Sequence, residues 1–210
     1  MDDRNFVVYS NLIKYLIPFR GLKYVSTVLK KDIIDDSESA VRREFEINGQ
    51  LRVVASGKYE KNTIFYIFSK KGYSLATPSD FKTHLSGIDA AEVVIVIDGE
   101  FLDTKKKNIK EYIVDTTYTL YLSGSGPYFS IIHYDKLYIN LNSHVSMPYE
   151  YKIIPELEFE KEKMGQIPTI LTNDALCMWL GARENDIIMV VEPSEVSLIR
   201  PVYRRVKRSW

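Results

Sequence analysis

The chain has 210 residues, enough for one large domain or two small ones that each bury a core. Its 28 basic residues balance 28 acidic ones, which excludes a global field drawing it to nucleic acid or to an anionic membrane. The single cysteine, Cys177, excludes an intrachain disulfide and suits a reducing compartment, and no apolar run approaches the ~18 residues of a membrane span.

The start, MDDRNFVVYSNL, lacks the basic segment and small-residue cleavage site of a signal peptide. Phe6, Tyr9, Leu12, Ile13, Leu16 and Ile17 recur at three- and four-residue spacing, which predicts a helix stopped by Gly21. Asp35-Asp36-Ser37 caps a second helix from Glu38 to Ile47, closed by Asn48-Gly49. Arg52-Val53-Val54 opens a strand, and Thr63 to Ser69 (TIFYIFS) gives another, rich in aromatic and β-branched residues. Ser79-Asp80 caps a short helix reaching Leu85. Glu92 to Asp98 (EVVIVID) is a continuous apolar run of strand length, as expected of a strand covered on both faces. Strands interleaved with helices predict an α/β layer.

After Asp98-Gly99 come Lys105, Lys106 and Lys107, then a helix around Ile109 to Val114. Tyr121 to Phe129 (YLSGSGPYF) holds a Gly-Ser-Gly-Pro turn, and Leu137 to Leu141 (LYINL) reads as a further strand. Asn140 to Pro148 (NLNSHVSMP) breaks the periodic pattern and marks a seam between a first domain, 1–140, and a second, 141–210. The charged stretch PELEFEKEK then leads into the most informative run of the chain, Ile167 to Glu195.

In that run Thr172 or Asn173 caps a helix, with Asp174 favourably placed in its first turn. Ala175, Leu176, Trp179 and Leu180 share a face, and Gly181 supplies the left-handed residue that ends the helix. Arg183-Glu184-Asn185-Asp186 makes a turn in which Asn185 is the residue best able to take positive φ. Ile187 to Val191 is a buried strand, Pro193-Ser194 turns the chain, and Val202 to Val206 returns as a paired strand. So small a mixed α/β element gains from packing on a neighbour. It carries no residue set fit for chemistry, which points to assembly.

These residues resemble the C-terminal domain of the fifth subunit of eukaryotic-type DNA-directed RNA polymerase, a family with an archaeal counterpart. The family pattern runs L-P-K-I, then D-P-x-A-x-x-L-G-L-K-x-G-D-V-V-K-I-x-R-x-S-E-T, then S-Y-R. Ile167, Pro168, Ile170, Asp174, Leu180, Gly181, Asp186, Ile187, Ile188, Ser194, Glu195, Tyr203 and Arg204 match it without a gap from Pro168 to Arg204. Ala175 replaces the usual proline, Asn185 the usual glycine, and Glu192 a basic residue. Leu198-Ile199-Arg200 replaces a glycine-arginine step. Such divergence looks more viral than cellular. LYINLNSHVSMP also resembles the family's junction between its domains.

The resemblance implies an α/β (α+β) chain: an N-terminal α/β jaw domain and a small mixed α/β C-terminal assembly domain. It implies a non-catalytic subunit without a cofactor, anchored on the largest polymerase subunit among other subunits, with weak, sequence-independent contact to downstream duplex DNA and none to a membrane. The implied place is intracellular: host cytoplasm or virion for a viral member, nucleus for a cellular one. The implied interface takes in Ile167, Pro168, Ile170, Asp174, Trp179, Gly181, Pro193, Ser194, Glu195, Tyr203 and Arg204. Lys105, Lys106 and Lys107 fall in the loop that lies near DNA in the family, although the family's Thr-Pro-Ser is absent there and Thr77-Pro78-Ser79 occurs earlier.

Each constellation also has a plainer reading. Three lysines are a common solvated loop, and the basic tail (Arg200, Arg204, Arg205, Lys207, Arg208) reads as an interface or strand edge before a nucleic-acid patch. His84, His133 and His144 lie far apart without cysteine partners, so no metal site is expected. Cys177 sits between Leu176 and Met178, as a buried or interfacial thiol does. Gly124-Ser125-Gly126 lacks the lysine of a phosphate loop and reads as a turn. Two other functions stay open: a metal-dependent nuclease using Asp98 with Glu60-Lys61, although neither run supplies Glu-x-Lys within a strand and Asp98-Gly99 also reads as a turn, and a free-standing DNA-binding adaptor built on the same fold.

Overall fold

The computed structural model describes residues 3–29, 32–33, 36–57, 60–69, 88–98, 118–119, 121–124, 126–144, 147–148, 150–155, 159, 167–194 and 198–209. It is a mixed α/β structure in two compact units, Met1–Asn140 and Leu141–Trp210. The expected helices near Leu85 and Ile109, and the lysines at 105–107, lie outside the described residues.

The first unit begins with a helical segment made of α1 (Asp3–Asn11), a π-helical turn (Leu12–Leu16) and α2 (Ile17–Phe19). Pro18 has no N–H and its ring crowds the preceding turn of a regular helix. The wider turn, in which Ile17 N–H donates to the Leu12 carbonyl, makes room for it. Val8, Tyr9, Leu12, Leu16 and Ile17 are buried. Gly21, at φ 70°, ends the segment, with its N–H on the Pro18 carbonyl.

Strand β1 (Lys23–Leu29) and the two-residue β2 (Asp32–Ile33) follow, then α3 (Glu38–Asn48). The Ser37 hydroxyl accepts from Ala40 N–H at the start of α3, and Gly49 at φ 67° closes it. β3 (Gln50–Ser56), β4 (Thr63–Phe68), β5 (Glu92–Ile97) and β6 (Tyr128–His133) complete a sheet of order β2-β1-β3-β4-β5-β6. β4, β5 and β6 run parallel; the other pairs are antiparallel. All six residues of β5 are buried, as its unbroken apolar run requires.

Two polar arrangements fasten helices to this sheet. Arg20, after α2, forms an ion pair with Glu92 on β5 at 3.0 Å, with side chains 2% and 4% exposed. The Ser130 hydroxyl donates to the same carboxylate oxygen at 3.3 Å, and the guanidinium lies 5.8 Å from the centre of the Phe65 ring. Elsewhere the Asp36 carboxylate accepts from Tyr9 at 2.9 Å and from Tyr24, and both phenols bond the Thr27 hydroxyl. Burial, aided by the Asp36 charge, pushes the Tyr9 hydroxyl well above the usual tyrosine range.

The structure corrects several expectations here. Leu137 to Leu141 is no strand: Tyr134–Leu137 and Leu141–Ser143 are 3-10 turns, and the strand is β6, just before them. Tyr134 and Leu137 are buried together while Ile139 is exposed, and the Tyr134 hydroxyl donates to the Phe68 carbonyl at 2.9 Å. β1 departs from strict alternation because its register shifts between Tyr24 and Ser26, a bulge that hides the strand from a period-two reading.

In the second unit β7 (Glu150–Ile154), β8 (Thr169–Leu171), β9 (Ile187–Ser194) and β10 (Leu198–Lys207) form a sheet of order β7-β9-β10-β8. Only the β10–β8 pair is parallel. Helix α4 (Ala175–Leu180) packs Leu176 and Cys177 with Ala182, Ile188, Val190 and Val206, and Tyr151, Ile153 and Ile170 close the rim of that cluster. Pro193 and Ser194 do not turn the chain: they remain in β9, opposite Ile199 and Leu198, and the segment Leu198-Ile199-Arg200 is the outer part of β10.

Candidate assembly surface

The run Ile167 to Arg204 divides into residues that build the second unit and residues that it leaves at its surface. Asp174 itself is the helix cap, in place of Thr172 or Asn173: its carboxylate accepts from Leu176 N–H at 2.8 Å. Gly181, at φ 65°, ends α4, and Asn185 takes φ 73° in the turn before β9. Arg183 N–H bonds the Asp186 carboxylate at 2.7 Å, and Asn185 N–H reaches the Val206 carbonyl at 2.9 Å. Ile170 packs on the core cluster. Trp179 is fully buried, so it belongs to the core and offers no surface to an interface.

Of the other expected interface residues, Pro168 and Pro193 are exposed, and Ile167, Tyr203 and Arg204 are half-buried. Tyr203 meets Phe159 edge-on with ring centres 5.0 Å apart, and Arg204 pairs with Glu192 at 3.0 Å. Ser194 is known by its place in β9 opposite Leu198, and Glu195 lies outside the described residues.

Sequence reasoning missed the most prominent surface feature. β7 pairs with β9 only as far as Val191, and β8 meets β10 only from Arg205 onward. The outer rungs Glu192–Arg200, Pro193–Ile199 and Ser194–Leu198 therefore form a two-stranded ribbon beyond the body of the sheet. On it Leu198 is 86% exposed and Ile199 56% exposed. Leu198 also holds φ 63°, a left-handed conformation that costs an ordinary side chain about 1–2 kcal/mol. Among the described residues, Asn185 and Leu198 are the two non-glycine residues with positive φ.

The nuclease constellation does not come together. Glu60 and Lys61 precede β4, at the end of the ladder where Thr63 faces Glu92, while Asp98 follows the opposite end, where Phe68 faces Ile97. At about 3.3 Å per residue the two positions lie on the order of 20 Å apart, and the Lys61 ammonium is paired with Asp89 at 2.7 Å. Among the described residues no group of three His, Cys, Asp or Glu side chains could hold a metal ion. Burial, reinforced by Asp174 and Asp186, pushes the Cys177 thiol up to about 12, which leaves it protonated and unreactive near neutrality. Among the described residues no helix is long and apolar enough to cross a membrane.

No protein-family model matches the chain, and no curated protein matches it.

Proposed function

We propose that the chain is a non-catalytic subunit of a multisubunit DNA-directed RNA polymerase, anchored through its second unit on the largest subunit. The observation that carries this reading is the backbone at Asn185 and Leu198. Asn185 takes the place of a glycine in the family pattern, and Leu198 opens the segment that takes the place of its glycine-arginine step. Both residues hold the positive φ that glycine serves. A left-handed backbone at a glycine position of the pattern, and another at the head of the segment standing in for its glycine-arginine step, support the reading. Asp174 as cap and Gly181 as terminator add to this, since both are fold determinants at motif positions.

In this role the first unit acts as a jaw beside downstream duplex DNA, held by charge and without base readout. Lys105, Lys106 and Lys107 are the residues assigned to that contact. Chemistry belongs to the large subunits. Purification of the tagged chain from its native source should recover those large subunits in stable amount; recovery of none would sink the proposal. Replacing the three lysines together should flatten the salt dependence of DNA engagement by the whole enzyme.

A further inference from the structure

We infer that Leu198 is an anchoring knob, which enters an apolar pocket with a carboxylate at its rim on the partner polypeptide. The inference rests on the polymerase-subunit reading. A leucine at φ 63° is strained, and a leucine 86% exposed buries almost nothing within its own chain. The fold therefore gains nothing from this side chain that glycine or asparagine would not supply more easily at the same backbone conformation. What leucine adds is an apolar arm on the outermost described rung of a ribbon, next to exposed Ile199, which faces exposed Pro193. A convex apolar tip fits a concave site.

Charge narrows the partner's chemistry. Glu192 on the ribbon is engaged by Arg204 at 3.0 Å, whereas exposed Arg200 has no ion pair among the described residues. One such cation next to an apolar knob complements a pocket with one carboxylate beside it. An anionic membrane is the weaker match, because stable surface binding needs several basic residues or a second anchor, and this tip offers a single arginine. The pocket is therefore protein, and Leu198 with Arg200 sets which partner surface is accepted.

The test uses the full tagged chain in its native source, as wild type, Leu198→Asn and Arg200→Glu. Asparagine keeps the left-handed backbone and removes the apolar arm. Large polymerase subunits recovered per tagged chain should fall about tenfold or more in both variants. If Leu198→Asn recovers as much as wild type, the knob is refuted while the subunit reading stands; if wild type recovers none, both fall. Leu198→Asn, which accepts the same left-handed backbone without glycine's extra unfolded-state freedom, should melt at or above the wild-type temperature; a melting point several degrees lower would show that Leu198 serves the fold and would overturn the inference. Wild-type chain sedimenting with vesicles of phosphatidylcholine and phosphatidylserine, in a manner lost in Leu198→Asn, would overturn the assignment to a protein pocket.

Discussion

In the first sheet β5 is buried along its whole length, whereas β10 in the second is exposed over its first four residues and fully buried only at Val206. The first sheet turns its strands inward, and an ion pair enclosed at the amino end of β5 joins it to the preceding helix. The second leaves the first four residues of its longest strand exposed, on a ribbon that no third strand among the described residues supports. A surplus of extended, apolar, strained surface is costly in a chain that works alone and useful in one that completes itself on a neighbour. The difference teaches that burial is distributed differently in the two units: the central strand of the first is enclosed, whereas the longest strand of the second leaves its outer end exposed.

The comparison can be broken by substitutions in each unit. The largest effect is expected at Trp179, whose change to alanine should destabilise the second unit by about 3–5 kcal/mol; denaturant unfolding followed by circular dichroism measures it, and a loss below about 1 kcal/mol would return Trp179 to the surface. Glu92→Gln leaves Arg20 buried beside a neutral partner, and urea titration should register a loss of about 3 kcal/mol. The double change Arg20→Met with Glu92→Leu should recover most of it, because an apolar pair of similar volume needs no desolvation of charge. Asp174→Ala removes the cap of α4 and should cost about 1 kcal/mol, with Asp174→Ser restoring most of the thermal midpoint. The smallest effect at neutral pH concerns Cys177. Its thiol, raised to about 12 when folded against 9.0 when exposed, contributes nothing to pH dependence below about 9; stability should then decline as pH rises from about 9 to about 12. Native protein should resist thiol reagents at pH 8, and rapid labelling there would contradict the buried placement.

Much of the fold is legible in the sequence where one physical rule acts alone. EVVIVID can only be a strand with both faces covered, and β5 is one. Ser37 and Gly49 bracket α3 because a hydroxyl cap and a left-handed terminator are local needs. Asn185 follows from the scarcity of residues that accept positive φ. Legibility failed where tertiary context decided. β1 escaped because its bulge breaks the alternation, and Leu137 to Leu141 misled because its apolar residues serve a 3-10 turn with Tyr134 inside and Ile139 outside. β7 is legible in principle, since Tyr151 and Ile153 alternate with Glu150 and Lys152, but it is short and the charged stretch PELEFEKEK follows it directly. Of the candidate site, the residues spent on the fold could be read, including the glycine that ends α4. Leu198 could not: nothing about a leucine announces a left-handed backbone, and a segment standing in for glycine-arginine reads as loop until its pairing with β9 is seen.

The parallel strands β4, β5 and β6 have a consequence for how the chain acquires its shape. Thr63 must find Glu92, and Glu92 must find Tyr128, before that ladder exists, so each rung closes a long loop at an entropic cost that no local contact offsets. Leu198 needs only Ser194, a few residues away. Hairpins form in about 1–10 μs, while sheets dominated by distant pairings take milliseconds to seconds. The ribbon's rungs can therefore close locally, whereas the parallel ladder waits on distant pairings. On the proposed anchoring, expression of the chain alone should yield more aggregate than expression alongside the large polymerase subunits, read as the pelleted fraction.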